Sequence, residues 1–200
     1  MSVTLFYAPA SPYSAKVRVA AALAGVALDA QIVSTGEEPE KLITANPLGK
    51  IPCLLLDGGF GVFDSRAITQ ELDRMSGKKL FPRNGAKRRE AERLEAAGDG
   101  LCDALLAQVY EKRFRPAEKV EQSWLDYQVR KVDRTLDWLN DNVTMRGKPH
   151  VGHIATACAI AYIELRFPDL NWSRGRPKLK RFYMRFSETV DAFQALKPSA

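Results

Sequence analysis

The chain has 200 residues, 46% hydrophobic and 27% charged, with a formal net charge of +6 and a pI near 9.3. That length suffices for one large or two small packed units, and no apolar run approaches the roughly 20 residues of a membrane span. The basic balance favours anionic partners in general, but no nucleic-acid-binding signature accompanies it, so neither nucleic acid nor a membrane is expected as a partner.

The N-terminus moves straight into the apolar run "VTLFY", without the basic-then-apolar pattern of a leader, and a cytoplasmic location is expected. That run reads as a strand. From Pro12 onward Val17, Ala20, Ala21 and Ala24 fall at helical spacing, and Gly25 supplies a stop. Val26, Leu28, Ala30 and Ile32 then alternate with period two, which predicts a second strand. A short helix follows around "PEKLITA" and ends at Asn46-Pro47. "IPCLLL" and "FGVF" flank the turn residues "DGG" as a hairpin, and a third helix opens near Asp64-Ser65, carrying Ile68, Leu72 and Met75.

After "FPRNGAK" the strand patterns stop. Leu94, Leu101, Leu105 and Val109 lie along one long helix. Leu125, Val129, Val132, Leu136 and Leu139 form a heptad-like stripe on a second, and residues 152–167 are apolar nearly all round, the mark of a buried central helix. The basic stretch "RGRPKLKR" reads as the solvated face of a last helix whose apolar side is Leu179, Phe182, Tyr183 and Phe186. The order predicts an α/β unit over 1–80, a linker over 81–87 and an all-α unit over 88–200. Cys53, Cys102 and Cys158 are far apart, form no C-x-x-C pair, and are expected as small buried hydrophobes.

Three local features of the first unit are suited to hold a ligand. Ser11-Pro12 joins an N-cap hydroxyl to a proline pre-shaped for the first helical turn. In "NPLGKIPCLLL" a proline opens a strand after a glycine turn; it is a candidate for a cis bond, with the preceding backbone amide left free for a ligand. In "FDSRAI" Asp64 and Ser65 open another helix. Each alone is explained by capping and turn chemistry; their order within eighty residues is more specific.

That order resembles the cytosolic-type glutathione transferases, in particular bacterial, serine-type members. The family's "S-P-[FY]-x-x-[KR]-V-R" appears as Ser11 through Arg18, its "N-P-x-G-[KR]-[IV]-P" as Asn46 through Pro52, and its "[ED]-S" helix start as Asp64-Ser65. The helical half is similar in "AAGDGLCDALLAQVYEKRFRP" and "ACAIAYIELRFPDL", so the likeness covers essentially the whole length. It implies a thioredoxin-like N-terminal domain, an all-α C-terminal domain and a homodimer. It also implies glutathione as co-substrate, with no metal, and detoxifying conjugation to a hydrophobic electrophile. Ser11 would donate a hydrogen bond to the glutathione sulfur, with Ser14, three residues on, as second choice. The resemblance sets Ile51 and Pro52 against the cysteinyl backbone, Ser65 at the γ-glutamyl carboxylate, Asp64 at the amino group and Lys50 near the glycyl carboxylate. Leu106, Tyr110 and Phe114, spaced by four, are candidates for the apolar wall of the electrophile pocket. Other glutathione-dependent reactions (peroxide reduction, dehalogenation, ether cleavage) stay open, as does a non-catalytic interaction protein on the same fold.

"HVGH", residues 150–153, departs from the family pattern, which opens this helix with Ser or Thr and an Asp three residues later. Two neutral imidazoles are expected to cap in their place, with the helix dipole lowering their pKa. No carboxylate or second cysteine joins them and Cys158 to make a metal set.

Overall fold

The computed structural model describes residues 3–200. Four strands, β1 (Thr4–Tyr7), β2 (Asp29–Ile32), β3 (Cys53–Leu55) and β4 (Gly61–Val62), form one mixed sheet in the order β2-β1-β3-β4. β1 pairs parallel with β2 and antiparallel with β3, which continues antiparallel into β4. The parallel pair requires a crossover, and α1 (Pro12–Ala24) supplies it. It ends where the sequence predicts, at Gly25, whose φ of 72° suits a residue without a Cβ. α2 (Glu40–Ala45) and α3 (Ser65–Met75) complete the N-terminal half.

β2 departs from the predicted pattern. It is shorter than the alternation from Val26 suggests, and all four of its residues are exposed, because it is an edge strand with nothing packed over Ala30 or Ile32.

The helical half comprises α4 (Gly85–Phe114), α5 (Gln122–Asn142), α6 (Val151–Arg166), α7 (Pro177–Thr189) and the single turn α8 (Phe193–Leu196). α4 begins at Gly85, inside the stretch expected as linker, capped by Asn84, whose side chain accepts from the Lys87 amide. At 30 residues it is about 45 Å long. Every residue from Val151 to Ile163 of α6 is buried, as its all-round apolar sequence requires. On α5 the stripe is off by one position: Val129 is 44% exposed, and Gln128 is buried in its place.

α4 and α6 lie side by side in the same sense, and two glycines let them touch. A Cβ on Gly98 would stand 2.7 Å from the backbone of Ala155, and one on Gly152 would stand 2.5 Å from the Ala91 carbonyl oxygen. Buried side chains form one continuous core from Leu5 and Leu54 of the sheet through α1 and α3 to α4, α6 and Phe186 of α7. The change from α/β to all-α near residue 82 is therefore a change of secondary structure, not a break in packing. All three cysteines are buried free thiols, and burial raises the pKa of each. Among the described residues, no helix is long and apolar enough to cross a membrane.

Candidate active site

A cleft of about 550 Å³ opens where the C-terminal edge of β1, the loop before β3 and the start of α3 face α4 and α6. It collects the three N-terminal motifs. Ser11 is the N-cap of α1, and its Oγ accepts the Ser14 amide at 3.2 Å. The hydroxyl proton is thus left to donate to a ligand at the positive end of a 13-residue helix. Ser14 sits differently: it is fully buried, does not line the cleft, and its Oγ has no partner.

The loop after α2 is braced by Asn46. Its Nδ2 donates to the Lys50 carbonyl at 2.8 Å, and its Oδ1 accepts from the Leu48 amide at 3.1 Å. The Ile51–Pro52 bond that follows is cis. Ile51 lines the cleft, and neither its N–H nor its carbonyl makes a backbone hydrogen bond among the described residues, which leaves both unpaired. Opposite stands the start of α3. Asp64 is its N-cap, with one carboxylate oxygen accepting the Arg66 amide at 3.0 Å and the other uncommitted. Ser65 follows at the first helical position, buried, with no hydrogen-bond partner for its hydroxyl among the described side-chain bonds. The Phe63–Asp64 bond is also cis. Lys50 lines the same end of the cleft.

Beneath this end lies a buried ionic network that sequence patterns did not reveal. Lys16 of α1, 1% exposed, reaches both oxygens of Asp99 at 2.8 Å and Glu95 Oε1 at 3.3 Å. Arg66 Nε donates to Asp99 at 2.8 Å, and Thr69 donates to Glu95 at 3.1 Å. Burial raises the Glu95 pKa against the pull of Lys16. The network ties α1, α3 and α4 together, with Lys16 and Glu95 buried and Asp99 and Arg66 reaching the cleft lining. Its signal in the sequence was faint: Glu95 and Asp99 are four apart on a helix, which taken alone reads as a solvated face.

The far wall comes from α4 and α6. Leu106 and Tyr110 line it; Phe114 does not. Phe114 is 71% exposed and packs edge-on against Tyr110 at 5.3 Å. Helix geometry explains the correction. Two steps of four residues rotate about 80° away from Leu106, whereas a four and a three return to within about 20° of it. The cleft-facing stripe is accordingly Asp99, Asp103, Leu106, Tyr110 and Arg113. Tyr13 donates its hydroxyl to Asp103; its pKa is pushed far up, first by burial and then by the charges around it. Tyr162 and Arg166 of α6 close the wall.

Comparison with known proteins places this geometry in a family. Residues 10–75 match the family model for the glutathione S-transferase N-terminal domain. The chain is 33% identical over 139 residues to the uncharacterized GST-like protein YibF of Escherichia coli K12, covering 67% of this chain and 68% of that one. The chain belongs to the glutathione S-transferase family. A glutathione transferase family member from Pseudomonas fluorescens Pf-5, solved with bound glutathione, is 37% identical over the whole of both chains, with a TM-score of 0.90. A Pf-5 family member solved with S-(propanoic acid)-glutathione is 35% identical, with a TM-score of 0.86, covering 100% of this chain and 98% of that one. The thioredoxin-like sheet with its helical partner is the fold this family shares.

The histidine pair lies away from the cleft, at the start of α6. His153 Nδ1 accepts the His150 backbone amide at 3.3 Å, and its Nε2 lies 3.0 Å from the Thr144 carbonyl. That pairing requires the neutral tautomer with the proton on Nε2. His150 Nδ1 is buried without a hydrogen-bond partner. The two rings stack at 3.6 Å. Burial is the first cause of both lowered pKa values, about 3 for His150 and about 4 for His153, and the neighbouring His153 adds to the shift of His150. The expected direction holds, with burial rather than the helix dipole as its main cause.

Proposed function

We propose that this protein binds glutathione across the Ser11, Ile51-Pro52 and Asp64-Ser65 surfaces, lowers the pKa of its thiol through Ser11, and transfers the sulfur to an electrophile held against the α4–α6 wall. The observation that carries this reading is the convergence of an N-cap hydroxyl, an unpaired backbone edge and a second helix start on one cleft. Ser65 and the α3 amides suit the γ-glutamyl carboxylate, the free Asp64 oxygen its amino group, and Lys50 the glycyl carboxylate. That the Pseudomonas proteins were solved with glutathione and a glutathione conjugate bound supports glutathione as the ligand here. The homodimer and detoxifying role implied by the family belong to this proposal too.

The energetics suffice without a protein base. Lowering a thiol pKa by about two units takes roughly 2.7 kcal/mol. One charge-assisted hydrogen bond contributes roughly 1.5–3 kcal/mol and the helix end up to about 1 kcal/mol more. The thiol proton leaves to water through the open cleft. The sulfur lone pair then forms the carbon–sulfur bond. In substitution the leaving group departs with its electron pair; in addition to an activated double bond, the new carbanion takes a proton from water.

The test is a thiolate titration of bound glutathione by ultraviolet difference absorbance. Ser11→Ala should raise the thiol pKa by one to two units, roughly the value of the lost hydrogen bond. Ser14→Ala should leave it unchanged. The opposite pattern transfers the role to Ser14, and a wild-type thiol with its free-solution pKa removes the proposal.

A further inference from the structure

The α4–α6 wall carries more positive charge than a pocket for a purely apolar acceptor requires. Arg113, in the last turn of α4, and Arg166, the last residue of α6, both line the cleft. Neither guanidinium forms a salt bridge among the described residues. A basic residue near a helix C-terminus complements the dipole. On α4, however, Lys112 sits in that same turn and Arg115 just beyond it, pairing with Glu111 at 2.8 Å, so the dipole alone does not call for Arg113. Nor does it explain why bases from two different helices converge. Both arginines line the cleft with Tyr162 and Tyr110, and they pull back the Tyr162 phenol pKa that burial raises.

The acidic groups of the cleft are either engaged or lie at its other end, by α3. Asp99 is held by Lys16 and Arg66, Asp103 takes the Tyr13 hydroxyl, and Asp64 stands at the start of α3. The charge without a partner in the acceptor half is thus positive. It lies beside two phenols, Tyr110 and Tyr162, whose hydroxyls make no hydrogen bond among the described side-chain contacts. Two guanidinium forks and phenol donors suit a planar oxyanion better than a neutral group.

We propose that the electrophile accepted by this protein carries a carboxylate, which Arg113 and Arg166 hold while Leu106 and Tyr110 pack its carbon skeleton. This rests on the reading that glutathione occupies the Ser11–Ser65 end of the cleft. Arg113 and Arg166 then act as specificity residues that orient the acceptor's reacting carbon toward the sulfur.

Equilibrium binding tests this without depending on turnover. S-(4-carboxybenzyl)glutathione and S-benzylglutathione differ only in the carboxylate. By calorimetry the wild-type protein should bind the carboxylated conjugate about ten-fold or more tightly, a preference that shrinks with added salt. Arg113→Gln/Arg166→Gln should abolish the preference; S-benzylglutathione, measured on the same variant, controls for loss of the Arg113 contact with the Tyr110 ring, 5.8 Å to its centroid. Equal affinities in the wild type, or a preference that survives in the double variant, would overturn the inference while the glutathione site stands. Failure of both conjugates to bind would remove the glutathione reading and this inference with it.

Discussion

Protonating the histidine pair at the start of α6 should destabilise the protein in mild acid, and the size of the effect follows from the contacts. His153 accepts at Nδ1 from the His150 amide, so a proton there sets two donors against each other. A charge on either ring also faces the other at 3.6 Å in a buried setting. Both folded pKa values lie below the unfolded value near 6.5. The sign is that of a depressed pKa: the full stability is present above pH 6.5, and it falls as acid protonates the unfolded chain alone. Each imidazole contributes a slope approaching 1.36 kcal/mol per pH unit, so from pH 6.5 to 5 the pair together removes roughly 3 kcal/mol. That is a large part of a typical domain's stability. His150→Ser/His153→Gln rebuilds the box with non-titrating groups. Urea unfolding of both proteins at pH 7.5, 6.5 and 5.0 isolates the histidines, since every other titrating group cancels in the difference. The difference should be level above pH 7 and change by roughly 3 kcal/mol between pH 6.5 and 5, in favour of the variant. Parallel stability curves would show that the imidazoles take up protons as readily folded as unfolded, and the account of the pair would fail.

Two further outcomes follow from packing. Lys16→Met leaves Glu95 without its cation and Asp99 with Arg66 alone, and should cost about 3–5 kcal/mol at neutral pH by chemical denaturation. Because burial already raises the Glu95 pKa, the penalty should shrink as falling pH protonates that carboxyl; a penalty independent of pH would mean that Glu95 is not the stranded charge. On α4, Gly98→Ala should destabilise by about 1–3 kcal/mol by pushing into Ala155, whereas Gly100→Ala, with nothing within 4 Å of its new Cβ, should stabilise by about 0.5–1 kcal/mol. Thermal melts of the two variants moving in the same direction would contradict the close contact of α4 with α6.

What the sequence disclosed, it disclosed through local rules. Ser11-Pro12, the turn before Pro52 and Asp64-Ser65 are each fixed by capping or turn chemistry within a few residues, and so could be read from order alone. The α4–α6 wall obeys a different rule. Its members come from two helices whose separation is set by Gly98 and Gly152, and nothing in the spacing of α4 announces where α6 will lie. A strict four-residue repeat therefore included Phe114 and passed over Arg113, although the true stripe alternates fours and threes. Lys16 was hidden for the opposite reason. A lysine in the first motif reads as solvated until the carboxylates of α4, some eighty residues on, arrive to bury it. The two omissions have one physical origin. Where charge meets charge, or fails to, is decided by tertiary contact, and local periodicity is blind to that. The Ser11–Ser65 end of this cleft could be inferred from a string of residues, but the opposite wall is legible only once α4 and α6 are placed side by side. On that second surface lie Arg113 and Arg166, which form no salt bridge among the described residues.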